Sequence, residues 1–170
     1  DREEILALQT RYPVWMSDMT TLADALEMIR GMGGVVGRRT QAEDLIAEIT
    51  AAFDALPAFR PVRAAYLIWC GPCMAAGGNT FIHDMMQRCG LANIFEKKNR
   101  YPQIELDELQ AAEVILLSSE PYSFTAGDLD SFRKSYPDHH VLIVDGMMFS
   151  WYGSRLKHAP RYFENLRKMV

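Results

Sequence analysis

The hydrophobic positions of this chain follow two regimes. Between residues 22 and 56 they recur at helical spacing: Leu22, Ala25, Leu26 and Ile29, then Ala42, Leu45, Ile46, Ile49, Phe53 and Leu56. From residue 62 onward they gather into short apolar runs within Val62–Trp69, Val114–Ser118 and Val141–Val144. Runs of that kind mark strands covered on both faces of a parallel sheet.

The pattern predicts a series of elements. Glu3–Leu8 reads as a short helix and Pro13–Met16 as a short apolar strand. Thr21 with Asp24 forms a capping box for the next helix, which Gly31, Gly33, Gly34 and Gly37 loosen and end. Thr40 with Glu43 offers a second box, opening a helix of about four turns that Pro57 and Pro61 close. A strand–helix alternation follows. Strand 62–69 leads to helix Thr80–Cys89, stopped by Gly90, and then to a short strand Asn93–Phe95. Helix Glu105–Ala112, strand 114–118, helix Asp128–Ser135, strand 141–144 and a terminal helix Pro160–Met169 complete the chain. Such alternation implies an α/β fold with a Rossmann-like, mostly parallel sheet and right-handed crossovers. Ligands on such sheets sit beyond the carboxyl ends of the strands.

Composition narrows the partners. The chain has 170 residues, enough for one sizeable domain or two small lobes. Its net charge is −4, and no basic stripe interleaved with aromatics argues for nucleic acid. No apolar run approaches the roughly 20 residues needed to cross a bilayer. Three cysteines are too few for a disulfide framework.

Three stretches follow the strand ends: Trp69–Met74, Ser118–Tyr122 and Asp145–Ser154. All are rich in aromatic residues, with Glu120 and Arg155 close by, the composition of a ligand cleft or of a protein contact. The first holds Trp69-Cys70-Gly71-Pro72-Cys73, the active-site pentapeptide of thioredoxin-like oxidoreductases. In such enzymes a helix N-terminus lowers the pKa of the first thiol, here Cys70, and the second, here Cys73, resolves the mixed disulfide. Gly77-Gly78 and a fresh cap at Asn79-Thr80 instead predict a loop after Cys73. A stiffening disulfide and a reduced pair of small side chains are the other readings. Cys89 reads as a buried apolar residue, His139 and His140 as solvated. No spacing among His, Cys, Asp and Glu suggests a metal site.

Taken in order, several segments resemble the substrate-binding proteins of vitamin B12 and iron-siderophore ABC importers. They are Tyr66–Trp69, Met74–Ile82, Cys89-Gly90, Asn93–Phe95, Tyr101-Pro102, Val114–Tyr122, Asp145-Gly146 and Phe149–Arg155. The resemblance runs from about Pro13 to the C-terminus. It implies two α/β lobes joined by one long helix, with the ligand between them. Residues 1–39 would then be the remnant of an N-terminal lobe, 40–60 the joining helix and 61–170 the C-terminal lobe. It implies an extracytoplasmic receptor for a metal chelate (ferric siderophore, haem or cobalamin), periplasmic or membrane-anchored, its signal peptide removed. Neither a cofactor nor a catalytic residue is implied. Membrane contact would come only through the ABC permease or a lipid anchor. Ligand-binding positions carried over are Trp69, Met74, Tyr101, Glu120, Tyr122, Trp151 and Arg155, with Asp107 as a permease-docking residue.

Overall fold

Ala64 to Ile68 are buried without interruption, and this stretch is the centre of the sheet. A computed structural model describes residues 2–170. In chain order the elements are helices α1 (Arg2–Gln9), α2 (Leu22–Val35) and α3 (Arg39–Asp54), strands β1 (Val62–Trp69) and β2 (Met74–Ala75), helix α4 (Phe81–Arg88), and strand β3 (Leu91–Asn93). A 3-10 turn Leu106–Ala111, β4 (Val114–Ser118), α5 (Ala126–Ser135), β5 (His140–Val144), α6 (Met147–Ser150), a 3-10 turn Ser154–His158 and α7 (Ala159–Arg167) follow. β1, β4 and β5 run parallel in that spatial order. The outer edge of β1 is shared by β3, parallel along Val62–Ala64, and β2, antiparallel at Leu67 and Trp69.

Each face of the sheet has its own core. On one face Tyr66, Ile68 and Leu116 pack with α2, α3, α4, α6 and α7 in one continuous cluster from Leu22 to Leu166. On the other, Leu67, Ile115 and Leu117 pack with Phe95, Leu109, Phe124 and Tyr136. The sheet alternation therefore sends successive residues of β1 to opposite layers. Hydrogen bonds tie the helices of the first layer together. The Leu22 amide donates to Asp84 Oδ2 at 2.8 Å, and Asp84 holds Arg88 at 2.8 Å. The Arg88 guanidinium then lies 5.6 Å from the centre of the Phe53 ring.

Several elements differ from the sequence expectation. Pro13–Met16 forms no strand. Neither edge of the sheet reaches it, and Trp15 instead lays its ring beside Gly31 of α2. The Thr21–Asp24 capping box is present, but the Thr40–Glu43 box is not. α3 starts at Arg39, and Glu43 turns sideways to bind Arg30 at 2.8 Å. The glycines do not interrupt α2: it continues to Val35, and Gly33 lets α3 approach so closely that a Cβ there would stand 2.4 Å from Ala42 Cβ. Gly37, with φ +66°, provides the left-handed step that ends the turn. The 105–112 segment is 3-10 rather than α, and the third strand ends at Asn93 rather than starting there.

The segment after β2 is locked by backbone contact. Gly77 and Gly78 donate their N–H groups to the carbonyls of Arg100 and Lys98, each at 2.7 Å. A Cβ on Gly77 would lie 2.3 Å from Lys98 O, and one on Gly78 2.1 Å from Glu96 O. Buried Asn93 closes the same corner: its Nδ2 donates to Ala76 O and its Oδ1 accepts from the Phe95 amide, both at 2.9 Å. Gly78→Ala must push the two backbones apart, so it is expected to cost about 1–3 kcal/mol. Urea unfolding of the two proteins measures that loss.

Candidate functional site

The carboxyl ends of β1, β4 and β5 lie at one end of the sheet, and the aromatic residues picked from the sequence collect there in three groups. The first stands on β1. Trp69, its last residue, pairs with Met74 across the β1–β2 hairpin. The Trp69 ring is 5.2 Å from that of Tyr122, which meets Phe124 at 4.8 Å. A disulfide joins Cys70 and Cys73 in the turn of this hairpin. Cys73 is buried in the core with Leu67 and Ile104. Beyond it the chain runs back along β1, and the next helix begins only at Phe81, capped by Thr80. Cys70 therefore does not sit at a helix N-terminus, the feature that would stabilise its thiolate.

The second group joins the ends of β4 and β5. Glu120 Oε1 accepts a hydrogen bond from the Trp151 indole Nε1 and another from Ser150 Oγ, both at 2.6 Å. The Arg155 guanidinium stands 5.6 Å from the centre of the Trp151 ring, a cation–π arrangement. Gly146 makes this junction fit, since a Cβ there would fall 2.4 Å from Ser118 Oγ and 2.6 Å from Glu120 Cγ.

The third group comes from the loop after β3. Burial, and then the nearby Tyr152 hydroxyl, raise the Tyr101 phenol above its ordinary range. Tyr152 packs edge-on against Phe81 at 5.3 Å. Arg100 next door pairs with Asp18, whose carboxyl is lowered by that hydrogen bond. Trp69 and Tyr101 are each 41% exposed, Trp151 49% and Tyr152 45%. Four large aromatics therefore present open surface at one end of the sheet.

The predicted residues thus divide. Trp69 meets Tyr122, and Glu120 meets Trp151, with Arg155 above the indole. Met74 is half-buried against the helical core, and Tyr101 reaches the group through Tyr152. Asp107 is exposed on the 3-10 turn near Tyr136, whose phenol is raised by burial and by that carboxylate. Tyr152 and Ser150 were not picked, although both lie inside the aromatic 145–154 stretch. His139 is not fully solvated: it is half-buried, 5.4 Å edge-on from Tyr136. His83 Nδ1 lies 3.3 Å from the Asn93 amide.

No protein-family profile matches this sequence, and no curated protein matches it. Solved structures do. A vitamin B12 binding protein of Vibrio cholerae is 14% identical, with a TM-score of 0.72 over 99% of this chain and 69% of its own. An ABC transporter substrate-binding protein from Listeria monocytogenes is 17% identical, with a TM-score of 0.75 over 98% and 71%. The S. aureus protein IsdE, solved with heme, is 16% identical, with a TM-score of 0.72 over 99% and 72%. This chain has the α/β fold of those periplasmic and ABC substrate-binding proteins.

The thiols give a direct check on the hairpin. Cys89 is buried, and burial pushes its thiol up to about 12. Unreduced native protein is expected to give no reaction with an aromatic disulfide reagent near about pH 8. It should show one thiol per chain on unfolding, and three after reduction. Three thiols on unfolding without reductant would mean that Cys70 and Cys73 are not joined.

Proposed function

We propose that this chain is the solute-binding component of an ABC importer, receiving a bulky metal chelate: a ferric siderophore, haem or a cobalamin. The observation that carries the reading is the open aromatic surface of Trp69, Tyr101, Trp151 and Tyr152 beyond the strand ends. Flat or bulky chelates gain most from such rings, because each buries large apolar area with few rotors to freeze. Arg155, held over Trp151, offers N–H donors to an anionic edge of the ligand. The fold supports the same reading, since the solved proteins that share it include a vitamin B12 binding protein and a heme complex.

In this reading the protein works outside the cytoplasm, where a disulfide such as Cys70–Cys73 persists. α3 is the joining helix, residues 61–170 are one lobe, and the ligand lies against its aromatic end. Exposed Asp107 is the docking carboxylate for basic residues of the permease. Binding needs no bond to be made or broken by the protein. Affinity comes from ring contact and charge pairing, and release follows when the docked permease competes for the same surface.

Tryptophan fluorescence, titrated with haemin, cyanocobalamin and ferric siderophores and corrected for inner-filter loss, tests this. Saturable quenching by one of these classes is expected. Replacing Trp69 and Trp151 together by Leu should weaken the affinity, followed by the ligand's own absorbance, by at least about tenfold. Unchanged affinity in that variant would overturn the site, and no binding by any of the panel would overturn the receptor reading for this chain.

A further inference from the structure

We infer that Glu120 is a positioning residue for Trp151 rather than a ligand-contacting carboxylate. Both of its short hydrogen bonds end on one oxygen. Oε1 accepts the Trp151 indole N–H and the Ser150 hydroxyl, each at 2.6 Å. Carboxylate oxygens form stronger hydrogen bonds than neutral acceptors, and a bond at the indole N–H ties down that edge of the ring. Trp151 is half exposed and follows a single-turn helix, so packing alone does little to hold it.

Glu120 is itself fixed from below. Ser118 Oγ donates to the Glu120 carbonyl at 2.6 Å and accepts from the Glu120 amide at 3.3 Å. The fully buried Tyr66 hydroxyl lies 3.0 Å from the same Ser118 oxygen and fills its remaining acceptor site. Tyr66 is anchored in turn by the Phe149 ring at 5.1 Å. The chain Tyr66–Ser118–Glu120–Trp151 thus runs from the middle of β1, across β4, to the open surface. Gly146 seals it, because any Cβ there would strike both Ser118 Oγ and Glu120 Cγ. Arg155 stacks over the ring that Glu120 orients, so a single clamp sets both the indole and the guanidinium.

The clamp itself is read without any ligand, while its part in binding rests on the receptor reading. Nitrogen-15 spectra of the full chain should show indole N–H signals from three tryptophans, of which Trp151→Phe would identify one. In Glu120→Ala that signal should move upfield and its exchange with solvent should quicken at least about tenfold, while the Trp15 and Trp69 signals stay in place. Glu120→Gln keeps an acceptor oxygen at the same position and should restore the protected signal. An unmoved Trp151 signal in Glu120→Ala, or its loss in Glu120→Gln in an otherwise native spectrum, would overturn the clamp.

The second arm uses haemin and cyanocobalamin with Glu120→Ala, Trp151→Leu and the double variant. A positioning role predicts that the double variant binds no more weakly than Trp151→Leu alone. A further loss of threefold or more would make Glu120 a direct ligand contact and overturn the assignment. Absence of binding by the unmutated chain refutes the receptor reading, and the spectra still decide the clamp.

Discussion

Two backbone hydrogen bonds, from Gly77 N–H to Arg100 O and from Gly78 N–H to Lys98 O, hold one side of the candidate site in place. They exist because neither glycine has a Cβ: the strands of backbone meet closer than any other residue allows. Through this contact the segment leaving β2 is fixed to the loop after β3. That loop in turn delivers Tyr101 to the aromatic surface and Arg100 to Asp18. The Asn79 side chain adds a third tie, accepting the Arg100 amide at 2.8 Å. Arg100 takes a left-handed backbone, φ +53°, and the surrounding bonds keep it there.

The strands were legible because burial on both faces favours apolar residues, as the runs Ala64–Ile68 in β1 and Val114–Leu117 in β4 show. Caps at Thr21 and Thr80 were legible because their bonds are local. What failed depended on distant partners. Pro13–Met16 is apolar, but a strand needs a partner strand, and its Trp15 packs against α2 instead. Thr40 and Glu43 have the spacing of a capping box, yet Arg30, thirteen positions earlier in the chain than Glu43, takes the carboxylate. The aromatic loops pointed to the end of the sheet where the candidate residues lie, while their pairings were hidden. Nothing in the spacing of Glu120 and Trp151 reveals a hydrogen bond across 31 positions.

The helical layer gives the aromatic surface a stiff base. α2 and α3 share a continuous core with α4, α6 and α7, so the first third of the chain and the last helix support the same face of the sheet. Phe149 shows how this works. It is fully buried, it touches Tyr66, Tyr162 and Phe163, and it sits two residues before Trp151. The Tyr162 hydroxyl also accepts the Asp145 amide at 2.8 Å, which fixes the start of the same loop. Exposed rings on anchored loops lose little conformational entropy when a ligand covers them.

The outer edge of β1 is divided between β2, two residues long, and β3, three residues long. A sheet edge is a template on which a second molecule can add its own strand, and long flat edges invite such assembly. Here the template is broken twice. β2 runs against the sheet direction and β3 with it, so an incoming strand meets opposite hydrogen-bond patterns within a few residues. The hairpin that presents Trp69 therefore also breaks up this edge of the sheet as a template for strand addition.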